Sequence, residues 1–321
     1  MKVLVCLNIP ESGPALLRQN GLEVDQWRED LPMSPRTLST RAKQYNALLC
    51  TGNYRINAGF LKQNRHLKII SQYAAGYDNI DVKAAGELGI PIANAPDAMT
   101  DATADIAFGL LLAVSRKMFY MHKTIARGEW KHFRPKAHLG MELKGKTLGI
   151  FGLGTIGLEF AKRCQGAYGM SVLYCNRTRN AVAESLLDAQ KVDFTELLER
   201  SDILSVHSAL TPATYKIFNA KAFARMKNNA LFLNTARGAI HEEMDLVNAL
   251  RTGQIWGAGL DVTDPEPMLP DNPLLDMENV AVTPHIGSAT ETARQRMSLY
   301  AAENILACYQ SRPIPYLVDP Y

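Results

Sequence analysis

The stretch Thr147-Leu148-Gly149-Ile150-Phe151-Gly152-Leu153-Gly154-Thr155-Ile156-Gly157 joins an apolar run to a G-x-G-x-x-G pattern. The segments on its C-terminal side give the pattern its weight. A helix-period segment runs from Leu158 to Tyr168, and a second apolar run, Ser171-Val172-Leu173-Tyr174-Cys175, comes after it. Strand, glycine turn, helix and strand in that order make a dinucleotide-binding βαβ unit. Gly152 permits the tight turn, Gly154 lets backbone amides approach a pyrophosphate, and Gly157 lets helix and strand pack closely. The helix N-terminus adds partial positive charge. Leu153, Thr155 and Ile156 complete the expected cofactor loop.

Outward from this unit, apolar runs alternate with helix-period segments on both sides. Val3–Leu7, Ala47–Thr51, Leu67–Ser71 and Ile90–Asn94 precede it; Ile203–His207, Ala230–Asn234, Ile255–Leu260 and Val280–Thr283 come later. Such alternation predicts an α/β protein with two Rossmann-like domains, each a parallel sheet flanked by helices. Met99 to Arg127, opened by Thr100 and Asp101, reads as one long helix, apolar nearly all round and therefore buried on most faces. Ser288 to Gln310 reads as a helix too short to be a domain. The economical topology returns it to the N-terminal sheet. The first domain is then discontinuous, residues 1–98 and 286–321, flavodoxin-like and substrate-binding, around a dinucleotide-binding domain of residues 99–285. Hinges fall near Ala95-Pro96 and Thr283-Pro284, with the active site in the interdomain cleft.

The composition agrees with an ordinary globular chain: 321 residues, 47% hydrophobic and 21% charged, enough for two cores. Lys plus Arg number 35 against 32 Asp plus Glu. With the basic residues scattered, nothing points to nucleic acid or a membrane surface. The five cysteines form no C-x-x-C pair, and Cys6, Cys50 and Cys175 sit in apolar runs, as reduced thiols do. Met1-Lys2 leads straight into a core strand, without a signal-peptide h-region. A cytoplasmic protein is expected.

The second strand of an NAD-binding unit ends in an acidic residue that holds the adenosine ribose. Here the position is Asn176, followed by Arg177 and Thr178. A carboxylate that would repel a 2′-phosphate is absent, and a guanidinium and a hydroxyl that could bind one are present, so NADP(H) is expected in preference to NAD(H).

Three motifs sit just beyond apolar runs, where open α/β sheets bind ligands. They are Asn234-Thr235-Ala236-Arg237-Gly238, Asp261 with Asp264-Pro265-Glu266-Pro267, and Thr283-Pro284-His285-Ile286-Gly287-Ser288. Together they offer a cation for a carboxylate, an acid–base imidazole and a carboxylate to orient it. His66, His122, His132, His138 and His241 show no metal-ligand spacing, and no metal is expected.

With these motifs in order, joined by Ala75-Gly76-Tyr77-Asp78-Asn79-Ile80-Asp81 and Asp101-Ala102-Thr103-Ala104-Asp105, the chain resembles the D-2-hydroxyacid dehydrogenase family over nearly its whole length. Gly287-Ser288-Ala289-Thr290, Arg294 and the Asn176-Arg177-Thr178 loop are similar to the glyoxylate/hydroxypyruvate reductases, whose bacterial types include 2-ketogluconate users. The resemblance implies Arg237, Glu266 and His285 as the catalytic residues. It implies substrate contacts at Ala74, Ala75, Gly76, Arg237, His285 and Ser288, with the small loop offering amides to the substrate carboxylate. Thr103, His207, Thr211, Pro212, Thr235, Ala236, Asp261 and Gly287 join the glycine and ribose loops at the cofactor, Asp261 accepting from the nicotinamide carboxamide. The expected reaction is NADPH-dependent reduction of small 2-keto acids, among them glyoxylate and hydroxypyruvate, to D-2-hydroxy acids, by a homodimer. Two alternatives stay open: an NAD-dependent enzyme of the phosphoglycerate dehydrogenase type, and a nicotinamide-sensing corepressor-like binding protein. Trp130 is expected in a core or interface rather than at the substrate.

Overall fold

The apolar runs become short parallel strands whose residues are almost all buried, as sheets covered by helices on both faces require. The structure is a computed structural model that describes residues 1–319. The chain divides into two units, one of Met1–Met99 with Ala289–Tyr321 and the other of Thr100–Ser288. The turn that carries His285 and Ser288 therefore lies wholly in the second unit.

In the first unit β1 (Lys2–Val5), α1 (Ser12–Gln19), β2 (Glu23–Gln26), α2 (Pro35–Ala42), β3 (Ala47–Cys50), α3 (Ala58–Gln63), β4 (Ile69–Gln72), α4 (Val82–Glu87) and β5 (Ile92–Ala93) alternate along the chain. The five-stranded sheet has the order β2-β1-β3-β4-β5, the flavodoxin-like arrangement.

In the second unit the long apolar segment is not one helix. It breaks into α5 (Thr100–Ser115) and α6 (Met118–Ala126) at Lys117, whose φ of 54° is left-handed. No glycine or proline marks the break. Tertiary contacts hold it, the Lys117 ammonium donating to Glu278 at 2.6 Å and lying over the Trp256 ring. α5 is buried against its own unit, whereas α6 has no buried residue. Then come β6 (Thr147–Phe151), α7 (Thr155–Tyr168), β7 (Ser171–Cys175), α8 (Ala181–Leu187), β8 (Gln190–Lys191), α9 (Phe194–Arg200), β9 (Ile203–Val206), α10 (Ala220–Phe223), β10 (Leu231–Asn234), α11 (Glu243–Arg251), β11 (Gly257–Leu260) and β12 (Val280–Val282). Their seven-stranded parallel sheet runs β12-β11-β10-β9-β6-β7-β8. The order reverses between β6 and β9, the switch point at which doubly wound sheets bind nucleotides. One face packs Leu110, Leu148, Ile150 and Phe160. The other packs Phe151, Phe218, Phe223 and Phe232, whose rings meet at 5.2–5.3 Å.

α12 (Glu291–Tyr309), capped by Thr290 Oγ1 on the Ala293 N–H, belongs to the first unit and packs on α1. A Cβ on Gly13 would lie 2.2 Å from the Ser298 carbonyl oxygen, so glycine is required at that crossing.

Candidate active site

The glycine loop leaves β6 at the switch point. Gly152 has a φ of 94°, and a Cβ there would lie 2.6 Å from Ser208 Cα, so the loop after β9 closes on it directly. Gly154 differs: nothing lies within 4 Å of a Cβ built on it, and it caps α7 with its face exposed. A backbone this open at a helix N-terminus suits a pyrophosphate. Leu153, Thr155 and Ile156 fill the turn, and Gly157 is tucked against the Gly152 carbonyl and Ile150.

Asn176, at the end of β7, turns its carboxamide back onto this loop. Its Oδ1 accepts from the Leu153 N–H at 2.6 Å and its Nδ2 donates to the Leu153 carbonyl at 3.1 Å. Asn176 thus steadies the glycine turn and presents no carboxylate to a ribose. Arg177 and Thr178 beside it are exposed, and the Arg177 guanidinium has no partner among the described residues. His207 is half-buried with Nε2 against Ser205 Oγ, and burial lowers its pKa, which keeps the ring neutral. Thr211 and Pro212 are exposed in the same loop, where the Thr211 N–H donates to Thr214 Oγ1.

The remaining motifs leave the same edge of the sheet, because Asn234 pairs with Leu260 and Leu260 with Val282 across β10, β11 and β12. Each loop is gripped by a buried polar side chain. After β10, Asn234 Oδ1 accepts from the Ala236 N–H at 3.0 Å and Nδ2 donates to the Arg237 carbonyl at 2.9 Å. Thr235 is buried with an unpartnered Oγ1, and the half-buried Arg237 donates through Nη1 to the Ala236 carbonyl. After β11, Thr263 Oγ1 donates to the Pro265 carbonyl, and the buried Glu243 accepts from Asn272 Nδ2 and the Asp264 N–H. Glu266 stands exposed on this loop. A Cβ on Gly238 would be 2.0 Å from the Thr263 carbonyl oxygen, so the Arg237 turn and the Glu266 loop touch through backbone.

After β12 the grip is Asp261, 1% exposed. Its Oδ1 accepts from Thr283 Oγ1 at 2.7 Å and the Ile286 N–H at 2.8 Å, and its Oδ2 accepts from the Gly287 N–H at 2.7 Å. Its carbonyl accepts from the His285 N–H. Held this way, His285 adopts a φ of 53°, a conformation a non-glycine residue keeps only under constraint. Its Nδ1 hydrogen-bonds Glu266 Oε1, and both side chains are more than two-fifths exposed. The Thr103 hydroxyl, at the start of α5, donates to the Gly287 carbonyl, and Gly287 is enclosed between Thr103 and Asp261. Ser288 is half-buried beside it.

In the first unit, the carbonyls of Ala74, Ala75 and Gly76 are taken by the Ala95 N–H, Asn94 Nδ2 and Gln72 Nε2. Their amides donate to no group among the described residues. Successive amides of this kind are available to an acceptor such as an anion.

Motif reading leaves out the buried grips: Glu243 and His241, the latter bonded to Asn234. Their only signal in the sequence is a charged or imidazole side chain flanking an apolar helix start. Trp130 is not in a core: it is 71% exposed, in an irregular segment that also exposes Phe133 and Leu139. Among the described residues no cluster of His, Cys, Asp and Glu could hold a metal ion, and no helix is long and apolar enough to cross a membrane.

Residues 108–287 match the model of the D-isomer specific 2-hydroxyacid dehydrogenase NAD-binding domain. The chain is 41% identical to the glyoxylate reductase of Thermococcus litoralis, over 99% of its own length and 96% of that protein's. Among solved structures, the TT0316 protein of Thermus thermophilus superposes with a TM-score of 0.91 at 41% identity, covering 99% of this chain and 100% of that one. The NADPH-dependent glyoxylate/hydroxypyruvate reductase of Sinorhizobium meliloti, in complex with NADP and malonate, superposes at 0.85 with 28% identity, covering 99% and 97%. A doubly wound nucleotide sheet, a His–Glu pair on its rim and these full-length likenesses coincide in one chain: it is an NAD(P)-dependent oxidoreductase and belongs to the D-isomer specific 2-hydroxyacid dehydrogenase family.

Proposed function

We propose that the protein reduces small 2-keto acids, glyoxylate and hydroxypyruvate foremost and 2-ketogluconate among them, to D-2-hydroxy acids with NADPH. The observation that carries this reading is the exposed His285–Glu266 pair on a loop held by Asp261. Glu266 accepts from Nδ1–H, which fixes the orientation of the ring, and Nε2–H is the proton donor to the keto oxygen. A bound reduced nicotinamide supplies the hydride. The planar fork of Arg237 suits the substrate's carboxylate and carbonyl oxygens, which an ammonium would match less well. The amides of Ala74, Ala75 and Gly76 suit a substrate carboxylate, and Ser288 is assigned to the substrate with His285.

The open Gly154 turn, with Thr155 and Ile156, would hold the pyrophosphate. Thr103, His207, Thr211, Pro212, Thr235, Ala236, Asp261 and Gly287 are assigned to the nicotinamide half; the unpartnered Thr235 hydroxyl fits that assignment. The three bonds already made by Asp261 give it a second task, holding the His285 turn. NADPH is favoured because Asn176 faces the glycine loop while Arg177 and Thr178 stay open to a 2′-phosphate. The Sinorhizobium relative's complex with NADP is in keeping with this. Exposed Trp130, Phe133 and Leu139, with Ile125 on the unburied α6, are the apolar surface through which we expect two copies to pair. Five unpaired thiols fit a cytoplasmic setting.

The test is a steady-state panel of glyoxylate, hydroxypyruvate and 2-ketogluconate against NADPH and NADH. Turnover of at least one keto acid, faster with NADPH, is expected. Absence of turnover above background for all of them would remove the reductase reading.

A further inference from the structure

The buried residue behind the Arg237 turn is His241, and its chemistry is not needed for packing. It is 0% exposed, its ring 5.7 Å from that of Phe232, and its Nδ1 lies 3.1 Å from Asn234 Nδ2. The neighbours of Asn234 settle which way its carboxamide faces. The Ala236 N–H can only donate, so it needs Oδ1; the Arg237 carbonyl can only accept, so it needs Nδ2. One Nδ2 hydrogen then remains, in a site without water access, and must find an acceptor. The lone pair on an unprotonated His241 Nδ1 is that acceptor. The ring proton therefore sits on Nε2, which is itself buried with no partner. An apolar side chain of similar shape would avoid that unmet donor. What the imidazole alone supplies is the acceptor for Asn234.

We propose that His241 is a positioning residue for Arg237, its neutral Nδ1 fixing the Asn234 carboxamide that grips the Arg237 turn. Burial, which lowers the His241 pKa to about 4, supports the neutral state. Backbone reinforces the arrangement: the His241 N–H donates to the Gly238 carbonyl, and Gly238 is wedged against Thr263. With the turn pinned on one side by Thr263 and on the other by Asn234, loss of the Nδ1 acceptor frees the carboxamide and the Arg237 backbone together. The inference rests on the reading of Arg237 as the substrate-carboxylate anchor.

The experiment compares His241→Leu, His241→Asn and Arg237→Ala, each as the full chain, for keto-acid kinetics and for NADPH affinity by fluorescence. His241→Leu should raise the glyoxylate KM and lower kcat/KM roughly tenfold, the scale of one lost buried hydrogen bond, with a smaller loss of NADPH affinity because Asn234 also holds the Ala236 amide. His241→Asn, whose Oδ1 can stand where Nδ1 stood, should recover most of the loss. In wild-type protein labelled at histidine, the ring nitrogen shifts should show the Nε2–H tautomer for His241, a readout that needs no variant to fold. A crippled Arg237→Ala beside a folded, wild-type-like His241→Leu would overturn the role of His241 alone, as would an Nδ1–H tautomer. A silent Arg237→Ala would overturn the anchor reading and the inference with it.

Discussion

Asp261→Asn exchanges one carboxylate oxygen for an amide nitrogen, and the His285 turn has no tolerance for it. Oδ1 faces the Ile286 N–H and Oδ2 faces the Gly287 N–H, so in either orientation the new NH2 group meets a backbone donor. One charge-assisted bond, about 1.5–3 kcal/mol, is lost outright, and the other two weaken to neutral bonds at a cost of about 1 kcal/mol each. The turn also carries the left-handed backbone of His285, a strain of about 1–3 kcal/mol that these bonds offset. A loss of roughly 3.5–5 kcal/mol from the held conformation leaves the turn mostly released, with the imidazole away from Glu266. Since about 1.4 kcal/mol is a factor of ten, the hydride-transfer step should slow by about a hundredfold or more. The assay is single-turnover oxidation of NADPH by saturating glyoxylate, with NADPH affinity measured separately because Asp261 is also an expected cofactor contact. A folded Asp261→Asn enzyme with a single-turnover rate within about threefold of wild type would refute the idea that this carboxylate holds the catalytic turn.

Arg177→Ala should raise the NADPH KM about 10- to 100-fold, the worth of one charge-assisted phosphate contact, and leave the NADH KM unchanged; equal losses for both cofactors would count against a 2′-phosphate site. Gly154→Ala should melt like wild type, since nothing in the chain lies within 4 Å of the added Cβ, yet bind NADPH at least tenfold more weakly. Unaltered binding would show that this space is not the pyrophosphate's. Burial of His241 predicts acid sensitivity: its folded pKa is lowered to about 4 from 6.5, so below pH 6.5 the unfolded chain takes up a proton that the folded chain refuses. Stability is complete above that pH, falls by about 2 kcal/mol by pH 5, and levels off below about 4. Urea unfolding across this window should show a slope that His241→Leu reduces, the remainder coming from the buried His207, and an unchanged slope would mean the His241 ring is protonated in the folded state.

What can be read from the sequence tracks how local its cause is. The β6–α7–β7 unit is legible nearly to the residue, because turn, helix start and strand are each dictated by glycines and an apolar run within a few positions. β2 and β8 are not, since edge strands this polar, one with no fully buried residue and the other two exposed residues long, carry no apolar signature. The break at Lys117 is equally invisible: its left-handed backbone is held by Glu278 and Trp256, far along the chain, and no local residue announces it. Trp130 is half legible: its 71% exposure rules out a core within its own chain, and the interface its aromatic character also suggests needs a second chain to form.

The same division runs through the active site. Arg237, Glu266 and His285 stand out because charged side chains beyond apolar strands are conspicuous, and because the family resemblance assigns them together. Their holders do not stand out. His241 reads in the sequence as one more histidine without metal spacing, and Asp261 as a cofactor contact. Only the fold shows Asp261 committing both oxygens to the turn that carries the His285 imidazole. Arg237, Glu266 and His285, the groups proposed to act on substrate, lie on loops beyond the strands. What makes them a site is that the buried side chains behind them have no other hydrogen bonds to make, so that moving a loop strands a polar group away from water. Precision at the rim of this sheet is thus set one layer down, and a substitution of His241 there should alter turnover without touching substrate or cofactor.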